Sequence, residues 1–180
     1  MKTIDIGQFA VIACHRTLTN VYVGIEEITK LPIRQWARLE GGPILACFGD
    51  DCVLLRQPIG KSDVQMIFSS LEELAMLISQ DLPDPNTETA WMQIFETACY
   101  PNDLSNTPPN VSRVIIYRNQ ETSSIGGIIL ELSTGGLLGF DASSYGGLTL
   151  FLDGQAATFR QNVVTALSLQ EEVISKEAVL

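Results

Sequence analysis

The chain has 180 residues, of which 46% are hydrophobic and 18% charged, and it carries a net charge of −10 at neutral pH. A chain of this length buries roughly 70% of its unfolded surface, and its composition excludes an intrinsically disordered polymer. The acidic balance opposes gripping nucleic-acid phosphates or an anionic membrane surface, since both need basic patches.

Three stretches follow along the chain, with no internal repeat in the sequence. In the first, residues 9–14 and 20–25 are rich in β-branched and aromatic residues and read as strands. Pro32 opens a short helix over 33–39, which Gly41-Gly42-Pro43 breaks. Residues 44–48 and 52–56 read as a hairpin around Gly49-Asp50-Asp51. In the second stretch, 64–68 is one more strand. Ser69-Ser70-Leu71-Glu72-Glu73 contains two overlapping Ser-x-x-Glu capping boxes, so a helix starts there with Leu71, Leu74, Leu77 and Ile78 on its inner face. Pro83 and Pro85 stop it, and a second helix is expected over 87–98 with Trp91 and Phe95 inward. The third stretch offers strands at 111–118, 125–132, 137–141 and 148–152, separated by short turns and therefore antiparallel. A C-terminal helix over 155–175, with Phe159, Val163 and Val173 inward, completes the expectation. The fold class is α+β, a single domain over 1–180 in which a largely antiparallel β-sheet is covered by helices.

No apolar run reaches the ~18 residues that span a bilayer. Residues 11–14 have the outline of a lipoprotein cleavage box, but Asp5 and Gln8 interrupt the apolar stretch such a signal needs. Cys14, Cys47, Cys52 and Cys99 all sit in apolar segments, where free cysteine behaves as a small buried hydrophobe. They read as reduced thiols, and the expected compartment is the cytoplasm.

Catalytic constellations are missing from the sequence. The single histidine, His15, adjoins Cys14, and on a strand the two side chains point to opposite faces, so they make no nucleophile–base pair. Cys47 and Cys52 lack the Cys-x-x-Cys spacing of zinc sites, even with Asp50, Asp51 and His15 added as possible ligands. Ser143-Ser144 is not set in a Gly-x-Ser-x-Gly elbow, and neither a Gly-x-Gly-x-x-Gly turn nor a phosphate loop with lysine occurs. The expectation is a protein that is not an enzyme and takes no metal or cofactor.

The positive signal is the distribution of charge. Residues 62–112 contain no lysine or arginine, yet they carry Asp63, Glu72, Glu73, Asp81, Asp84, Glu88, Glu96 and Asp103. Glu72, Glu73 and Glu88 fall in expected first helical turns, where the helix dipole favours them by ~0.3 to 1 kcal/mol each. Such acids can be no more than a solvated face that keeps the chain dispersed. They also form a surface complementary to a cationic protein, whose approach it would accelerate by ~10 to 1000-fold at low salt. Paired glycines at 126–127, 135–136 and 146–147 offer a second route to a partner, since glycine in a strand marks a bulge or a close approach by another backbone.

In size, acidity, mixed α+β organisation and lack of catalytic motifs, the chain resembles at class level the immunity proteins of bacterial toxin systems, such as the contact-dependent growth-inhibition type. The resemblance implies a one-to-one complex that blocks a cognate basic toxin, often a nuclease domain. The eight acids of 62–112 are then the expected partner-binding residues, with neither nucleic acid nor membrane as partner. Two other classes stay open. A small-molecule-binding or enzymatic domain predicts a deep pocket near His15, Trp36 and Tyr145. A structural adaptor subunit predicts a broad exposed apolar patch.

Overall fold

A computed structural model of the chain describes residues 1–25, 38–40, 43–57, 64–74, 90–93, 110–142, 148–152, 156–159, 161 and 169–175. After a short strand β1 (Lys2–Ile4), the chain turns into a helix, α1 (Ile6–His15). Asp5 is its N-cap. The Asp5 carboxylate accepts the Gln8 backbone N–H at 2.8 Å, and the Gln8 side chain accepts the Asp5 N–H at 3.2 Å. A reciprocal cap of this kind contributes about 1 kcal/mol. Ile6, Phe9, Ala10, Ala13 and Cys14 then recur at helical spacing and are buried. The strand expected over 9–14 is therefore a helix: the cap sets the backbone, and the small residues Ala10 and Ala13 let it lie close against its neighbours.

The remaining elements are strands: β2 (Asn20–Ile25), β3 (Arg38–Glu40), β4 (Ile44–Phe48), β5 (Asp51–Arg56), β6 (Gln65–Ser70), β7 (Ala90–Gln93), β8 (Val111–Asn119), β9 (Ile125–Leu132), β10 (Leu137–Asp141), β11 (Thr149–Leu152) and β12 (Leu169–Ser175). They form two antiparallel six-stranded sheets, ordered β1-β6-β5-β4-β2-β7 and β12-β8-β9-β10-β11-β3. Although the sequence shows no repeat, the topology repeats. In each sheet four strands follow one another as a meander (β2, β4, β5, β6 and β8, β9, β10, β11). A later strand, β7 or β12, returns to pair with the first of the four. Each sheet is completed beside its fourth strand by a segment from elsewhere, β1 in one and β3 in the other.

Strand alternation sorts the side chains into an interior and two outer faces. Ile44, Ala46, Phe48, Val53, Leu55 and Met66 of the first sheet join Val114, Ile116, Ile128, Leu130, Leu138, Phe140 and Leu150 of the second in one buried cluster, which includes Phe9, Ala10, Ala13 and Cys14 of α1. The opposite face of the first sheet holds a smaller cluster, Leu45, Cys47, Cys52, Leu54 and Ile67, joined by Leu74 from the helical turn at 71–74. The opposite face of the second holds Ile115, Tyr117, Ile129, Phe151 and Leu169, joined by Ala156 and Phe159 from the helical segment at 156–159. Phe159 stacks on Phe151 at 5.3 Å between ring centroids and meets Tyr117 edge-on at 6.2 Å.

Three expected helices change. Residues 38 and 39 of the helix expected over 33–39 belong to β3, and its other residues lie outside the described set. Residues 90–93 of the helix expected over 87–98 form β7, where pairing with β2 satisfies the backbone; the rest lies outside the described residues. The expected helix over 155–175 is helical at 156–159, but 169–175 is β12, and Val173, assigned to its inner face, is 48% exposed. Leu71, likewise expected inward, is 41% exposed, whereas Leu74 is buried. Strands β4, β9 and β10 match the expected bounds to the residue. No helix among the described residues is long and apolar enough to cross a membrane.

Gly126 and Gly127 lie in β9, which is hydrogen-bonded to β8 on one side and β10 on the other, so a partner strand cannot dock on β9 at that position. Their requirement is internal. The β8–β9 register shifts at Gly126, and a Cβ on Gly127 would come within 2.5 Å of the Phe159 ring and 3.2 Å of the Phe140 carbonyl. Gly127→Ala is expected to destabilise the chain by about 1–3 kcal/mol through overpacking. Urea unfolding of the two proteins measures this, with an unchanged midpoint as the adverse result.

Candidate functional site: an acidic concavity on the first sheet

The β4–β5 hairpin closes through the two residues between the paired Phe48 and Asp51. Gly49 takes φ +72° at the first of them, the conformation a two-residue turn needs there and one that other residues resist. Next to this tip, β2 begins. The Thr19 backbone N–H and hydroxyl both donate to the Cys47 carbonyl, at 2.8 and 3.1 Å, and the Gly49 N–H donates to the Thr19 hydroxyl at 3.2 Å. Ser70, at the end of β6, pairs with Asp51 and caps the following helical turn by accepting the Glu73 N–H at 3.3 Å. Thus Ser70 caps this turn as expected from sequence, while the Glu73 carboxylate turns to the Ser69 hydroxyl and the N-terminal ammonium.

These three junctions enclose a concavity of about 360 Å³, lined by Thr19, Asn20, Tyr22, Cys47, Gly49, Asp50, Cys52, Ser70, Leu71 and Glu72. Among the described residues its lining includes two carboxylates, Asp50 and Glu72, and no lysine, arginine or histidine. Asn20 is oriented by accepting the Val21 N–H at 2.9 Å and by its amide meeting the Tyr22 hydroxyl at 3.1 Å. The neighbouring acids have internal partners. Asp51 is ion-paired with Arg16, whose guanidinium also lies 5.7 Å from the Phe68 ring centroid. Glu73 accepts the Ser69 hydroxyl and lies 3.5 Å from the N-terminal ammonium. Those two contacts, the hydroxyl first, hold the Glu73 carboxyl below the ordinary carboxylate range.

Of the eight expected partner-binding acids, Glu72 and Glu73 are described and both are exposed. Asp63, Asp81, Asp84, Glu88, Glu96 and Asp103 lie outside the described residues, as do Trp36 and Tyr145. His15 is exposed in the last turn of α1, while the adjacent Cys14 is buried. Asp50 is not among the expected partner residues: the turn chemistry of 48–51 puts it at a hairpin tip, and the pairing of Asp51 with Ser70 brings that tip beside the helical turn.

The cysteines also depart from expectation. Cys47 and Cys52 face each other directly across β4 and β5, with Cα atoms 4.1 Å apart, and are joined as a disulfide. Cys14 is buried and takes no part in that bond, and Cys99 lies outside the described residues. Apolar surroundings suggested four separate thiols, but a two-residue turn between Phe48 and Asp51 places Cys47 opposite Cys52 whatever their neighbours. No group of three or more His, Cys, Asp or Glu side chains able to hold a metal ion occurs among the described residues. Comparisons with protein-family models, curated proteins and solved structures each find no match to this chain.

The Glu73 contacts yield a pH prediction. A carboxyl whose folded pKa is depressed stabilises the fold above its unfolded pKa, and that contribution is lost as pH falls through the folded value. Ser69→Ala removes the larger cause, so the Glu73 pKa is expected to rise toward the ordinary value. An NMR titration of the side-chain carboxyl reads this, and an unshifted midpoint would count against the contact.

Proposed function

We infer that the chain is a stoichiometric protein inhibitor of the immunity-protein kind, not an enzyme, which binds a cationic toxin or nuclease domain in the cytoplasm through an acidic surface. In this reading the whole chain is a single α+β domain, with helices covering the outer faces of its sheets. The observation that carries the reading is the concavity bearing Asp50 and Glu72 with no basic side chain among the described residues of its lining. It opens at the start of the stretch 62–112, which contains no lysine or arginine. Unneutralised carboxylates around a concave surface focus a negative potential outward and attract a basic partner. A nuclease groove is basic because it must hold phosphates, so an acidic surface of matching size competes for it.

The cavity volume favours one second reading, a site for a small cationic ligand held between Tyr22, Leu71, Asp50 and Glu72, because cavities of a few hundred Å³ accommodate such molecules. The two readings separate on salt and on partner size.

The test takes as partner the cationic protein captured by the chain from its source organism at low salt. Its association rate with the intact chain should fall ~10-fold or more between low and high salt. Glu72→Lys should slow association more than Glu73→Lys, because Glu73 is already held by Ser69 and the N-terminal ammonium. Equal rates at both salt concentrations and in both variants would remove the acidic surface from the interface.

A further inference from the structure

We propose that Cys47 and Cys52 form a redox-active pair that opens and closes by exchange with an uncharged external dithiol while both sheets stay folded. This goes beyond the inhibitor reading and does not rest on it.

Three features of the structure support it. First, the backbone alone sets the pair. The Cys47 carbonyl is turned toward β2, where Thr19 donates to it, so Cys47 and Cys52 occupy a position at which β4 and β5 exchange no hydrogen bonds. Facing residues at such a position are the closest in an antiparallel sheet. The ladder from Ile44↔Leu55 through Phe48↔Asp51 holds this geometry whether or not the sulfurs are bonded. Second, the reduced state has a place to sit. Leu45, Leu54, Ile67 and Leu74 surround the pair, and a thiol behaves there as a small hydrophobe. Third, the pair adjoins the concavity. Both cysteines line the concavity while only 4% and 1% exposed, and this is the side from which the proposed exchange has a small reductant approach. Cys14 is buried in the shared interior and does not line this concavity.

The exchange balances with two electrons. A thiolate of the dithiol attacks the Sγ of Cys47, the less buried of the two, and the Sγ–Sγ bond breaks. The Cys52 sulfur leaves as a thiolate and takes up a proton. The second thiol of the reductant then attacks the mixed disulfide, releasing Cys47 and forming the reductant's own disulfide. Closure is the reverse, with an oxidised dithiol accepting the two electrons. Asp50 and Glu72 at the rim repel an anionic thiol such as glutathione, so the reactant class is a neutral dithiol.

The test incubates the full chain with graded ratios of reduced to oxidised dithiothreitol, alkylates it, and maps the alkylated cysteines by peptide mass spectrometry. Far-UV circular dichroism is followed in parallel. The expected result is joint alkylation of Cys47 and Cys52 over one range of ratios, reversed on reoxidation, with Cys14 unmodified and the spectrum unchanged. In Asp50→Asn/Glu72→Gln the rate with glutathione should rise several-fold relative to the rate with dithiothreitol. The proposal is overturned if the pair fails to close in oxidised dithiothreitol, or if it opens only when Cys14 becomes alkylated and the spectrum collapses. An unchanged ratio of rates in the double variant would overturn the assigned reactant class.

Discussion

The structure depends on one interior shared by two sheets. Alternation along β4, β5 and β6 and along β8, β9 and β10 gives each sheet an apolar inner face, and both faces enter the same buried cluster. Helix α1 joins them. Its Phe9 ring meets the Phe48 ring of the first sheet edge-on at 6.4 Å, and the same cluster holds Val114 and Ile116 of the second. Burial of apolar surface is the dominant favourable term in folding, so neither inner face can be left open to water without a large cost. Short strands form one edge of each sheet, β1 beside β6 and β3 beside β11, and β3 ties the first part of the chain to the second sheet.

With the inner faces committed to one another, chemistry is left to the outer faces and the strand ends. The acidic concavity arises where β2, the β4–β5 hairpin and the start of the helical turn at 71–74 converge. None of its polar groups is needed to fill the interior. Asp51 and Glu73, a residue away from Asp50 and Glu72, are held by Arg16 and by Ser69 with the N-terminal ammonium. The distinction between a carboxylate with an internal partner and one without it is therefore drawn between adjacent residues. Cys47 and Cys52 of β4 and β5 line the same concavity, so the acidic surface and the proposed thiol exchange share one opening.

Much of this was legible in the sequence where local chemistry and pairing agree. β4, β5, β9 and β10 are apolar runs bounded by polar or glycine-rich turns, and the strands lie close to where those signals put them. The errors fall where pairing overrides local preference. Leu169-Gln170-Glu171-Glu172 has helical composition, yet it forms β12, anchored by the Tyr117 hydroxyl donating to Glu171 at 3.0 Å and by Arg118 on Glu172 at 3.2 Å. In 9–14 the local signal points the other way: Phe9, Val11 and Ile12 suggest a strand, but the Asp5–Gln8 cap and the burial of one helical face decide for α1. The cysteines were read by their neighbours instead of by hairpin register, which fixes the Cys47–Cys52 pairing directly. Half of the acidic concavity, Glu72 and the capped turn that carries it, was accessible from sequence. The other half was not, because Thr19, Asn20 and Asp50 come together only through the order of strands.

The shared interior is tested most directly by native-state hydrogen exchange on Phe9→Ala. Loss of this ring is expected to destabilise the chain by about 3–5 kcal/mol, and the most protected amides of β4–β5 and of β8–β9 should lose protection by the same amount. If β8 and β9 kept their full protection while β4 and β5 lost theirs, the two sheets would not depend on a common core.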